Sequence, residues 1–167
     1  MRPDADYWIE KLQLSSHVEG GAFKQYYQSS LQIPKSVLPA DFQGDRPVST
    51  AIYFLLQQGQ FSALHRIASD EVWHFYYGDP LLVYEIRPDG ELMSHLLGND
   101  PMRGQSFQCV VKAGSWFGSI PANNSEYSLV ACTVAPGFDF ADFALAERET
   151  LQKEFPQHTA LIEMLTR

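Results

Sequence analysis

The chain has 167 residues, 45% hydrophobic and 19% charged, with a formal net charge of −8. That length and balance suit one globular domain with a real core. The acidic surplus, with Lys and Arg scattered singly, excludes the basic stripe that nucleic-acid binding requires, so no nucleic-acid partner is expected.

The opening MRPDADYW lacks the basic start and apolar run of a signal peptide, and no apolar stretch is long enough to span a bilayer. A cytoplasmic protein without a membrane partner is therefore expected. Cys109 and Cys132 stand in apolar, strand-like runs without CxxC spacing and read as buried free thiols. The 11 Phe, 8 Tyr and 3 Trp suit an aromatic-lined cavity, although for most of them a β-rich core is the plainer account.

In chain order, residues 4–14 are predicted as an amphipathic helix, capped by Asp4 or Asp6, with Trp8, Ile9 and Leu12 on one face. Residues 17–21 form a polar, glycine-containing turn, and 22–28 a strand. Residues 31–47, with Pro34, Pro39, Gly44 and Pro47 and no period, read as a loop that either covers a cavity mouth or is a surface excursion. Residues 49–56 are a central strand. Residues 61–67 and 71–77 read as a hairpin joined by Ala68-Ser69-Asp70. Strands follow at 81–86, 91–97, 105–111, 116–120, 127–134 and 138–144, separated by turn signals such as Pro88-Asp89-Gly90. Helices close the chain at 147–155 and 158–165. Many short strands with helices only at the ends predict an all-β barrel of jelly-roll type.

In the central stretch, alternation puts Phe61, Ala63, His65 and Ile67 on one face, and Glu71, Trp73, Phe75 and Tyr77 on one face of the next strand. An imidazole and a carboxylate converging among apolar side chains shift each other's proton affinity, which makes His65 and Glu71 a candidate site.

Gly59, His65, Glu71 and Gly78 fall on the spacing of the first cupin motif, with Ile67 at its second His position. With STAIYFLL (49–56), HRIASDEVWHFYYGDPL (65–81) and CTVAPGFDFADF (132–143), the chain resembles the cupin branch catalogued as a domain of unknown function, DUF985. The resemblance runs from His17 to the end. It implies a cupin-type double-stranded β-helix as one domain over residues 1–167, a small-molecule cavity inside the barrel, and a homodimer. Where relatives read HPEGGYFRE, this chain has Val18 for the proline, Ala22 for the aromatic and Lys24 for the arginine. Lys24 keeps a charge for an anionic ligand but lacks the bidentate fork.

Metal cupins hold their ion with three His and one Glu. Here Ile67 and Phe117 stand at two of those four positions, so neither metal nor other cofactor is expected. His74 lies three residues from Glu71 and should face the opposite way, as a hydrogen-bonded histidine at a sheet surface or interface. His17 and His95 are assigned no role.

Two functional readings follow. One is a metal-independent isomerase or epimerase of a sugar or sugar phosphate. In it His65 is the base, Glu71 orients it or acts itself, and a tyrosine supplies the acid. Tyr53, Tyr77, Tyr84 and Tyr127 are the candidates, with Tyr127 put first. Trp73, Phe75, Tyr84, Trp116 and Phe117 would wall the ligand, with Lys24 as a further contact. The other is a non-catalytic ligand-binding cupin whose His65/Glu71 pair is the remnant of a metal site.

Overall fold

The alternating runs assemble into two facing sheets in a computed structural model, which describes residues 2–167. Helix α1 (Ala5–Leu12) is followed by β1 (Ser15–Ser16), β2 (Ala22–Gln28), β3 (Gln32–Ile33), β4 (Arg46–Pro47), β5 (Thr50–Gln57), β6 (Ser62–Arg66), β7 (Asp70–Gly78), β8 (Leu81–Ile86), β9 (Leu92–Leu97), β10 (Gln108–Val111), β11 (Trp116–Pro121), β12 (Tyr127–Ala135) and β13 (Ala144–Leu145), then by α2 (Arg148–Glu154) and α3 (Thr159–Met164). One sheet has the order β1-β2-β5-β12-β7-β10 and the other β13-β6-β11-β8-β9, while β3 and β4 pair apart. The pairings within both sheets are antiparallel. This is the expected all-β jelly roll with short terminal helices. Among the described residues no helix is long and apolar enough to cross a membrane.

Alternation along each strand divides the apolar residues into three clusters. Phe54, Leu56, Trp73, Val83, Phe117, Val130, Cys132 and Val134 meet between the sheets. Leu55, Tyr127 and Leu129, on the other face of β5 and β12, pack against Trp8, Ile9 and Leu12 of α1. Leu64 and Ile86, with Tyr84 and Trp116 against them, pack on Leu151, Phe155, Ile162 and Leu165 of the C-terminal helical segment. The Asp4 carboxylate caps α1 by accepting the Tyr7 N–H at 2.9 Å.

Two expectations are corrected. Strands β6 and β7 are not a paired hairpin: β6 pairs with β11 and β13, β7 with β10 and β12. The 67–69 connection instead crosses from one sheet to the other, with Ser69 Oγ donating to Pro136 O at 2.7 Å. Residues 138–144 are not a strand. Asp139 accepts the Ala141 N–H through its side chain at 2.8 Å and turns residues 140–142 into a short 3-10 helix, leaving only β13.

The irregular 31–47 segment is fastened to that turn. The Arg46 guanidinium grips Asp142 with two bonds, Nε to Oδ2 at 2.5 Å and Nη2 to Oδ1 at 2.6 Å. Gln43 N–H donates to the same carboxylate at 2.8 Å, and Gly137 N–H to Pro47 O at 2.7 Å. Because a buried bidentate pair depends on guanidinium geometry, Arg46→Lys is expected to cost about 1–2 kcal/mol. Amide exchange at residues 137–143 should accelerate with it, as hydrogen exchange read by mass spectrometry would show.

Candidate functional site

A cavity of about 260 Å³ opens between the sheets, and His17, Glu19, Phe23, Ile52, His65, Ile67, Glu71, Cys132 and Phe138 are among its walls. The odd positions of β6 and β7 bring His65 and Glu71 to it from opposite sheets. The 17–21 turn brings His17 and Glu19. That turn needs its glycines. Gly20 has φ +119°, and a Cβ there would lie 2.1 Å from Phe61 O.

The turn is tied to β6 by the Ala63 N–H, which donates to Glu19 O at 2.8 Å. Glu19 then places one carboxylate oxygen 2.9 Å from Ser62 Oγ, which donates to it, and the other 3.0 Å from His65 Nε2. His65 Nδ1 lies 2.7 Å from Ala63 O, and a carbonyl oxygen can only accept. Both ring nitrogens therefore face acceptors, which defines an imidazolium paired with a carboxylate. Burial opposes the charge on His65, and Glu19 outweighs it, so its pKa is raised. Burial likewise pushes Glu19 up, but His65, His17 and Ser62 hold it below the ordinary carboxylate value.

Glu71 differs. It is buried at 7% exposure and forms no ion pair among the described residues. Burial, with Glu19 adding to it and His65 opposing, pushes its carboxyl up to about 7. The Cys132 thiol beside it is held well above its usual range by burial and by Glu71, so it stays protonated and inert.

The family model described as Cupin superfamily (DUF985) matches residues 6–146. The chain belongs to this cupin family. It is 31% identical over 152 residues to an uncharacterized protein of Saccharomyces cerevisiae, covering 84% of this chain and 74% of that one. A solved protein of Shewanella oneidensis shares 40% identity with a TM-score of 0.87, over 99% of this chain and 98% of that one. A hypothetical protein from Leishmania major shares 34% identity with a TM-score of 0.87, over 98% and 99%.

The four positions that hold the ion in metal cupins do not suit one here. Ile67 lines the cavity, and the Phe117 ring lies tilted against His65 with centroids 4.1 Å apart. His65 has no lone pair to offer, since both nitrogens are engaged. Among the described residues no three His, Cys, Asp or Glu side chains are grouped to bind a metal. Treatment with a chelator is expected to leave the thermal midpoint unchanged, and a drop of several degrees would contradict this reading of the donor set.

Several expected site residues lie elsewhere in this cupin. Tyr127 is on the outer face of β12, donating to Pro3 O and accepting from Trp8 Nε1 at 3.1 Å. Parity explains it: Cys132 and Val134 face the cavity, so Tyr127 and Leu129 face α1. Tyr84 and Trp116 lie under the C-terminal helices for the same reason, and the Arg66 guanidinium stacks 4.5 Å over Trp116. Lys24 reaches Gln13 Oε1 at 2.8 Å, outside the cavity. Trp73 and Phe75 pack in the intersheet core without lining the cavity, and Phe117 serves as a ring beneath His65. His74 is bonded to Thr133 Oγ1 and Gln108 Nε2, both at 3.1 Å.

Sequence reasoning missed His17, Glu19 and the apolar rim of Phe23, Phe138 and Phe140. The HVEGG string was the available signal: two ionisable side chains ahead of paired glycines.

Proposed function

We propose that this cupin binds a small sugar-class molecule in its cavity and moves a proton on it without a metal, as isomerases and epimerases do. One observation carries the reading: Glu71 is a carboxyl buried in the cavity wall with no ion pair among the described residues, and that burial pushes it up to about 7, where a group can both take and return a proton. Glu71 is the base in this reading. His65, hydrogen-bonded to Ala63 O and paired with Glu19, keeps its proton and holds the wall beside Glu71 in place. Phe23, Phe138 and Phe140 give the apolar faces on which a sugar carbon skeleton packs.

The test is exchange of carbon-bound hydrogen with D2O, followed by proton NMR over neutral aldoses and ketoses. Wild type is expected to exchange at least one of them, and Glu71→Gln to lose about a hundredfold or more of that rate. The sealed state of His65 favours a second reading, a ligand-binding cupin without turnover. Sugar binding with no exchange across the panel would select it.

A further inference from the structure

We infer that the cavity takes an uncharged carbonyl or hydroxyl compound, recognises its oxygen through His17, and rejects phosphorylated and carboxylate ligands. This rests on reading the cavity as a sugar-class site.

The His17 side chain is 8% exposed and forms part of the cavity wall. Its ring stands edge-on to Phe23, 4.4 Å away, with Phe54 behind at 6.2 Å. The Glu19 N–H donates to Nδ1 at 3.2 Å. A nitrogen that accepts has a lone pair, so the ring proton is on Nε2. Among the described residues nothing accepts from that N–H, which is left to a ligand. The ring stays neutral, because burial lowers its proton affinity against the pull of Glu19. A neutral N–H suits a carbonyl or hydroxyl oxygen.

The charges around the cavity point the same way. Among the described residues no Lys or Arg lines it. Its one cation among the described residues, His65, is matched by Glu19, while Asp139, and Glu71 once it ionises, add only negative charge. Arg46 comes within 4.0 Å of Asp139 at the rim, but its guanidinium is committed to Asp142. A phosphate would enter with no partner and with carboxylates nearby.

The experiment has two arms. Nitrogen-15 NMR of the native protein at pH 7 is expected to find His17 protonated on Nε2 alone. A ring protonated on Nδ1, or on both nitrogens, would overturn the inference whether or not a ligand is known. Calorimetry then compares D-xylulose and other neutral sugars with D-xylulose 5-phosphate. A neutral sugar should bind and the phosphate should not, and His17→Phe, which keeps the ring packing, should weaken the neutral sugar about tenfold. Equal or tighter phosphate binding, or an unchanged affinity in His17→Phe, would overturn this inference alone. Binding by no neutral sugar would overturn the proposed function, and this inference with it.

Discussion

Glu71→Gln is expected to make the protein more stable at pH 8, by roughly 3 kcal/mol, while it removes proton transfer. The sign follows from linkage. The Glu71 carboxyl rises from an ordinary 4.5 to about 7 on folding, so between those values the unfolded chain has lost a proton that the folded one keeps. Its contribution to stability is intact below pH 4.5, declines as pH rises, and is gone above pH 7. At about 1.4 kcal/mol per tenfold change in proton affinity, the loss reaches roughly 3 kcal/mol. Gln has the shape of the protonated acid and never ionises, so it escapes that decline. Urea unfolding at pH 4.5 and pH 8 checks this: the two proteins should be close at the lower pH and separate at the higher. For a chain of this size the gap at pH 8 corresponds to about 6–12 °C in Tm. Such a gain together with lost activity is the usual cost of a functional site. A parallel pH dependence in both proteins would remove the case for Glu71 as the titrating group.

Glu19→Ala should have the opposite effect, a loss of about 3–5 kcal/mol, the range for removing one member of a buried ion pair. The substitution strips His65 of its counter-charge and Ser62 of its acceptor, and loosens the 17–21 turn over β6. Glu19→Gln keeps the shape and costs less, but it removes the charge that holds His65 protonated. Burial then lowers the His65 pKa against only Glu71 and the Ala63 carbonyl, so the ring should give up its proton at a lower pH in Glu19→Gln than in wild type. The wild-type pair has a defined window. Glu19, with a depressed pKa, contributes above 4.5 and loses its contribution as pH falls through its folded value. His65, with a raised one, contributes fully below 6.5 and loses it as pH rises through its folded value. Carbon-detected NMR of the imidazole in both proteins reads the charge directly.

The strands were legible because alternation is local, and the spacing of Gly59, His65, Glu71 and Gly78 marked two of the cavity's polar residues. The pairing of β6 was not legible. A hairpin and a crossing between sheets have the same alternation, and only the partners β11 and β12 tell them apart. The wrong tyrosine has a similar cause. In YSLVACTVA both faces of β12 are largely apolar, one meeting the cavity and the other α1, so nothing in the strand says which side Tyr127 takes. His17 and Glu19 sit in a turn without a period. Glu19 takes its role from docking on Ser62 and His65, more than 40 residues away, and the same turn carries His17 to the cavity, which alternation cannot reveal.

The central claim is that a buried carboxyl, not a metal, handles the proton in this cavity. Its most direct test is the titration of the Glu71 side-chain carboxyl by carbon-13 NMR in the native protein, with Glu71→Gln assigning the signal. A midpoint near 7 is the expected result. A midpoint near 4.5 would show an ordinary solvated carboxylate and contradict the account.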